Sequence, residues 1–252
     1  MVIGAGPAGE VAAGRLAERH GMKVAIVEQH LVGGECSFYA CMPSKALLRP
    51  QELVREAGRV PGVTASGPDA DAVLHRRDEV VHDLDDSSQL PWLEDRGVEL
   101  VRGRGRLAGE GRVEVDGRTL EAARAVVLAA GSLAAIPPIE GLADLDPWTN
   151  REGTTAKEVP ESLVVLGGGV AGVELAQAWR SLGSEVVLLE ALDRLLAREE
   201  PIAGELVGAA LAEAGVDVRT GAKAERVTRE DGRVVVALAG GDTVEGEELL
   251  VV

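Results

Sequence analysis

Met1-Val-Ile-Gly-Ala-Gly-Pro-Ala-Gly9 and Val164-Val-Leu-Gly-Gly-Gly-Val-Ala-Gly172 read as one pattern written twice. In each, an apolar run of β type meets glycines spaced G-x-G-x-x-G, and a helix-type run follows. Gly4, Gly6 and Gly9 make the first turn. The helix continues through Val11, Ala12, Leu16 and Ala17, Gly21 is placed to cap it, and residues 22–27 read as the next strand, closing on Glu28. The second copy has Gly167, Gly169 and Gly172, a helix over 173–182, Gly183 as its cap, and residues 186–189 leading to Glu190. From first glycine to acid, the two spacings differ by one residue.

This grammar has a physical reason. The first glycine permits a tight turn, the second lets the backbone approach a pyrophosphate, and the third lets helix pack closely on strand. The helix starts, at Pro7 and Ala8 in one copy and at Val170 in the other, bring amide dipole to the anion. Glu28 and Glu190 suit ribose hydroxyls as acceptors. A single such turn also occurs merely to pack an α/β sheet; two in the required context predict two dinucleotide sites.

Composition agrees with an α/β fold. The 252 residues are 46% hydrophobic but only 2% aromatic, so Val, Leu, Ile and Ala must fill the cores, as in parallel sheets flanked by helices. A formal net charge of -16 argues against nucleic acid, which needs clustered Lys and Arg. No apolar run reaches the roughly 18 residues of a membrane span, and no basic secretory segment opens the chain. A cytoplasmic protein without membrane partners is expected, and no metal centre. Two cysteines are too few for a secreted disulfide framework.

Those cysteines lie in Gly33-Gly-Glu-Cys-Ser-Phe-Tyr-Ala-Cys-Met-Pro-Ser-Lys45, shortly after Glu28, and so should run along the first ligand. Five positions apart on a regular helix, Cys36 and Cys41 would have Cα atoms about 8.6 Å apart, too far for a disulfide. A bond therefore needs a distortion between them. Pro43 fits a first helical turn, which would set Cys41 near a helix N-terminus, where the dipole favours the thiolate. The spacing alone is equally compatible with two unpaired cysteines in a packed segment.

At this point the chain resembles the pyridine nucleotide-disulfide oxidoreductases, the flavoprotein family of dihydrolipoamide dehydrogenase, glutathione reductase and mercuric reductase. The likeness rests on the two glycine turns, the Gly-Gly-x-Cys-x4-Cys-x-Pro-Ser-Lys segment, and Ala129-Ala-Gly-Ser132 after a strand. It implies two Rossmann-like domains: an FAD domain over 1–147 with an inserted antiparallel β-meander, then an NAD(P) domain over 148–252. It also implies FAD at Gly4, Gly6, Pro7, Ala8, Gly9, Glu28, Gly34, Glu35, Gly105 and Gly131, and a nicotinamide dinucleotide at Gly167, Gly169, Val170, Gly172 and Glu190. By the same resemblance Cys36 would exchange with a small-molecule or protein-bound disulfide or dithiol, and Cys41 would face the flavin. Lys45 would sit near the flavin's reactive nitrogen, paired with Glu174. A carboxylate at position 190 repels a 2′-phosphate, which favours NAD over NADP; Arg194, close in sequence, reads as a solvated charge.

The chain departs from the family in several places. Glu35 stands where members usually carry Thr, Ser37-Phe-Tyr-Ala40 replaces small or amide residues, and Ala130 replaces a threonine. None of the named substrates therefore transfers. The first strand has only Met1, Val2 and Ile3, and the sequence stops within a strand at residues 248–252, so a fragment of a longer, homodimeric parent is expected. The family's C-terminal His-Glu pair has no counterpart among His20, His30, His75 and His82.

Elsewhere, residues 46–59 should continue the helix begun at the cysteines, and 70–96 should be helical with a break near Asp85-Asp-Ser-Ser88. Residues 98–127 alternate between glycines and read as an antiparallel meander whose Arg102, Arg104 and Arg106 form a solvated face. Beyond the paired glycine units, no internal repeat is evident. Two other readings stay open: a flavoprotein reductase whose cysteines are idle, and a catalytically silent dinucleotide-binding fragment.

Overall fold

The computed structural model describes residues 1–252. The chain divides into two units, residues 1–42 with 78–133, and residues 43–77 with 134–252.

In the first unit the opening apolar run is a strand of two residues, β1 (Val2–Ile3), set inside a parallel sheet. It is followed by α1 (Pro7–His20), β2 (Val24–Glu28) and a short α2 (Gly34–Phe38). Gly21 ends α1 at φ +58°, its N–H bonded to Ala17 and that of Met22 to Leu16 O, the left-handed cap expected for glycine. Next come α3 (Cys41–Gly58) and α4 (Ala70–Val80), both of which run mainly in the second unit. The first unit resumes with α5 (Leu90–Glu94), β3 (Val98–Arg102), β4 (Gly105–Leu107), β5 (Arg112–Val115), β6 (Arg118–Glu121) and β7 (Val127–Leu128).

The parallel sheet has the order β3-β2-β1-β7, and β4-β5-β6 form an antiparallel sheet. Side chains alternate across a strand, so neighbouring residues serve different cores. Val2, Val24, Ile26 and Val98 pack with Ala13 of α1 and Leu93 of α5, whereas Ile3, Val27 and Val101 pack with Val113 and Val115 of the antiparallel sheet.

The second unit adds α6 (Asn150–Thr155), β8 (Ser162–Leu166), α7 (Val170–Leu182), β9 (Glu185–Leu189), α8 (Pro201–Glu213) and β10 (Asp217–Arg219). It closes with β11 (Ala224–Glu230), β12 (Arg233–Leu238), β13 (Thr243–Gly246) and β14 (Glu248–Val251). Its parallel sheet runs β10-β9-β8-β14, with β11-β12-β13 antiparallel beside it. One face, with Leu163, Val165 and Leu250, packs on Val173, Ala176 and the fully buried Trp179 of α7. The other, with Val164, Leu249 and Val251, packs on Val227, Val234, Val236 and Val244. Arg77, also fully buried, donates to the carbonyls of Thr154 and Ala156, linking α4 to the end of α6.

The α/β class with two doubly layered dinucleotide-type folds holds, with three corrections. Residues 98–127 are not all meander, because β3 pairs in parallel with β2, and the antiparallel strands begin only at Gly105. Gly103 makes the change of direction at φ +134°, where a Cβ would stand 2.2 Å from Asp116 Oδ2. Second, Arg102 is exposed as expected but is also paired, bonding to Asp86 Oδ2 and to the carbonyl of His30. Third, the two units share more than their glycine turns: each has strand order third-second-first-last, with a three-stranded antiparallel sheet inserted before the last strand. The helical stretch does break as expected, with 3-10 turns at His82–Leu84 and Ser87–Gln89.

Candidate functional site

The glycines of each turn divide by what an added Cβ would meet. At Gly4, φ +100°, it would lie 2.1 Å from Ala129 O, and at Gly9 it would lie 1.8 Å from Gly4 O. The second unit repeats this, with 1.9 Å to Val252 O at Gly167 and 1.9 Å to Gly167 O at Gly172. The chain itself therefore requires the first and third glycines. The middle ones differ: a Cβ on Gly6 would approach nothing nearer than Gly34 Cα at 3.9 Å, and one on Gly169 would meet nothing within 4 Å. Both are helix N-caps with extended backbone and no capping side chain. No packing constraint demands glycine at Gly6 and Gly169, and the amide ends of α1 and α7 carry no side-chain cap; both features leave room and unpaired amides for a phosphate. Gly34, φ +59°, extends the first cradle, since its own Cβ would come 2.8 Å from Gly6 Cα.

The acids are built identically. Glu28 Oε2 accepts from the Ala5 N–H and Oε1 from the His30 N–H, each at 2.7 Å. Glu190 Oε2 accepts from the Gly168 N–H and Oε1 from the Leu192 N–H, again at 2.7 Å. Each carboxylate thus ties its glycine turn to the end of the neighbouring strand. One further acceptor position remains on every oxygen for a hydroxyl donor. In the second unit, a cavity of about 700 Å³ at the carboxyl ends of β8, β9 and β14 adjoins Gly167 and Glu190 and is walled by Pro138, Ile139, Ala222 and Lys223. Its volume and its place at the strand ends suit a nucleotide. Arg194 donates to the carbonyls of Leu196, Ala197 and Glu199, so its guanidinium shapes the loop after β9 instead of being solvated.

The remaining FAD residues expected from the sequence lie in the first unit. Pro7 and Ala8 are exposed at the start of α1, and Glu35 is half-buried on α2. Gly105 opens β4, where an added Cβ would come 3.2 Å from both Ile3 Cγ2 and Val27 Cγ1, and Gly131 follows β7 at φ +70°. In the second unit, Val170 is exposed at the first turn of α7.

The cysteine segment contains a break of the kind that a bond between Cys36 and Cys41 would need. Helix α2 carries Cys36 and ends at Tyr39, φ -134°, and Cys41 opens α3 with Pro43 buried in its first turn. Phe38 is buried in the packing rather than presented to solvent. Both thiols are free. A hydrogen bond to the Cys41 side chain, then burial, pushes the Cys36 thiol up to about 11, with the charges of Cys41 and Glu10 adding to the effect. Replacing Cys41 by Ala is therefore expected to bring the Cys36 thiol down towards its ordinary value and to speed its alkylation at pH 8. Each unit of fall gives about a tenfold larger thiolate fraction. Mass spectrometry of alkylated peptides checks this, and an unchanged rate refutes the assigned cause.

In the second unit Lys45 Nζ lies 2.5 Å from Glu174 Oε1, on α3 and α7 respectively. Ser44, buried, donates its hydroxyl to Glu174 Oε2 at 3.0 Å and accepts from Lys45 Nζ at 3.3 Å. An exposed lysine-carboxylate pair is ordinarily loose and worth little; a buried hydroxyl on the second oxygen organises this one. Ser44 escaped the sequence reading because serine in such a motif gives no periodic or charge signal.

Two Rossmann-type cradles with acid clamps, and a cysteine pair directly after the first, define a two-dinucleotide oxidoreductase architecture. The pyridine nucleotide-disulphide oxidoreductase family model matches residues 1–252, and the chain belongs to that family. It is 35% identical over 237 residues to mercuric reductase of Bacillus cereus, covering 91% of this chain and 37% of that protein. It is 33% identical over 260 residues to dihydrolipoyl dehydrogenase of Acholeplasma laidlawii, covering 99% of this chain and 76% of the relative. Among solved structures, the Cu(II) complex of the HOCl-induced flavoprotein disulfide reductase RclA from Escherichia coli superposes with TM-score 0.85 at 26% identity, over 100% of this chain and 55% of that one. LpdA from Mycobacterium tuberculosis gives 0.83 at 29%, over 99% and 57%. The chain spans about half the length of most curated relatives it matches, for instance 47% of the Lysinibacillus sphaericus mercuric reductase. No helix is long and apolar enough to cross a membrane.

Proposed function

We propose that this chain forms the dinucleotide-binding part of an FAD-dependent disulfide oxidoreductase that draws electrons from NADH. The observation that carries the reading is the pair of matching cradles, with Cys36 and Cys41 following the first within one short segment. FAD, when bound, supplies two-electron chemistry between a nicotinamide and a disulfide. Gly4, Gly6, Gly9, Gly34 and Glu28 would hold it, within a domain of residues 1–147, and Gly167, Gly169, Gly172 and Glu190 would hold the nicotinamide dinucleotide, within residues 148–252.

In the net reaction NADH, a proton and a disulfide give NAD and two thiols. Cys36 exchanges with the substrate disulfide, and Cys41 closes the internal disulfide by expelling the reduced product, so two electrons and two protons leave the cysteine pair. Lys45, held by Glu174 and Ser44, fixes a positive charge one helical turn beyond Cys41 on α3. NADH is favoured because Glu190 presents a carboxylate and Arg194 is engaged by three backbone carbonyls. The substrate is a dithiol or disulfide, small or protein-bound, and the full-length parent is a cytoplasmic homodimer.

Anaerobic titration of the FAD-reconstituted chain with NADH, with the cysteines mapped by alkylation, tests the reading. Flavin bleaching accompanied by new alkylation at Cys36, and a weaker response to NADPH, is the expected result. Bleaching with unaltered cysteines would mean that the thiols are idle, and no FAD binding would leave a silent dinucleotide-binding chain.

A further inference from the structure

The loop joining Glu28 to Gly33 is held by side chains that lie outside every motif. Asp86, 9% exposed, comes from the break in the helical stretch. Its Oδ2 accepts from the Val32 N–H at 2.6 Å and from Arg102 Nη2 at 2.6 Å. Arg102, the last residue of β3, donates through Nη1 to His30 O at 2.7 Å. The rigid fork of one guanidinium thus ties the near end of the loop to the carboxylate that holds its far end. Glu28 Oε1 holds the His30 N–H, and the Gly33 N–H reaches Ala5 O at 2.8 Å. The loop so fixed runs directly into Gly34, seated against Gly6, and then into α2 with Cys36. The second unit meets the same need differently, with Arg194 from within its own loop.

We propose that Asp86 and Arg102 are positioning residues of the first dinucleotide site, a single clamp that sets both the backbone facing the pyrophosphate at Gly34 and the placement of the Cys36 thiol. The identity of the ligand rests on the function proposed above; the clamp on the loop does not. Because carboxylate and guanidinium share one network, removing either should release the same loop, and removing both should do little more.

The test uses the full chain with Asp86→Ala, Asp86→Asn, Arg102→Ala, Arg102→Lys and the double alanine variant. Three quantities are read: hydrogen exchange at the Val32 amide without nucleotide, FAD affinity by flavin fluorescence quenching, and Cys36 alkylation rate. NADH affinity at the second cradle serves as a control for folding. Asp86→Ala is expected to weaken FAD about tenfold, as for a lost charge-assisted bond, and to speed Val32 exchange by a similar factor. Cys36 alkylation should change in the same variants, with NADH affinity unaltered. Asp86→Asn keeps an acceptor for the Val32 N–H and should lie between Asp86→Ala and the parent, and it decides the matter if the alanine variants fail to fold. Arg102→Lys, which lacks the fork, should not restore the parent values. Faster Val32 exchange with FAD affinity and Cys36 reactivity both unchanged overturns the proposal, as do strictly additive losses in the double variant. Should the parent chain bind no FAD, the functional reading fails on its own, and Val32 exchange with Cys36 alkylation still decides the clamp.

Discussion

Gly9→Ala is expected to unfold the first unit, whereas Gly6→Ala, three residues earlier, is expected to leave it folded and to abolish tight FAD binding. The methyl group at residue 9 would stand 1.8 Å from Gly4 O, a backbone atom at the turn that starts α1. No flexible side chain can yield there. The turn must open or α1 must leave the sheet, and with it Ala13, which packs on Val2 and Ile26. That loss belongs to the rare class above about 4 kcal/mol, comparable to the whole stability of a small folded unit. At residue 6 the backbone is extended, φ -77° and ψ -178°, a conformation any residue adopts, and the nearest atom is 3.9 Å away. Stability should therefore change by less than about 1 kcal/mol. The methyl group would instead occupy the approach to the helix amides. Thermal unfolding by circular dichroism, beside flavin fluorescence quenching, separates the two effects. Unchanged FAD affinity in Gly6→Ala would contradict the first cradle's assignment, and a native melting curve for Gly9→Ala would contradict the geometry of the turn.

The second large effect is expected at Trp179. This side chain is fully buried on α7, donates Nε1–H to Gly153 O at 3.0 Å, and stacks obliquely on Trp148 with ring centroids 5.6 Å apart. Trp179→Ala removes the largest side chain of the second core and leaves a carbonyl in the C-terminal half of α6 without its donor. The expected loss is about 3–5 kcal/mol. Trp179→Phe keeps most of the volume and should lose roughly 1–3 kcal/mol, mainly through the orphaned carbonyl. Urea unfolding followed by far-ultraviolet circular dichroism measures both. Equal destabilisation by Phe and Ala would show that the hydrogen bond, not the packing, governs this core.

The glycine turns, their helices and the terminal acids were legible because each depends on local conformation: a positive φ at Gly4 and Gly167, a cap at Gly21 and Gly183, an acid at the end of a strand. The interruption between Cys36 and Cys41 was legible only on the condition that the two form a bond, since covalent reach then forbids a continuous helix. Strand partnership was not. Residues 98–102 sit at the head of a stretch that alternates further on, yet they pair in parallel with β2 and bury Val98 and Val101 in different cores, because an apolar pattern reports which faces are buried and carries no record of the neighbour's direction. The antiparallel sheet of the second unit is hard to read because β11 has apolar residues too sparse to stand out, with Ala224 and Val227 its buried members. The exposure of Arg102 was legible but its partners were not, because its charge meets Asp86 and His30 only through the fold. Nothing adjacent in sequence marks this arginine as paired.

The carboxylates of Glu28 and Glu190 have a further consequence. Each already grips the backbone of its own glycine turn on both oxygens, so the recess for the ligand is set before any ligand arrives. Little ordering entropy is then left to be lost on association, and the encounter needs no remodelling of the turn. The acid is in this sense a keystone of the chain first and, on the proposed function, a contact for ribose second: exchanging it to alter cofactor preference would slacken the arch proposed to receive the cofactor. Changes of preference in such a protein should accordingly be sought in neighbouring side chains, with the acid left in place.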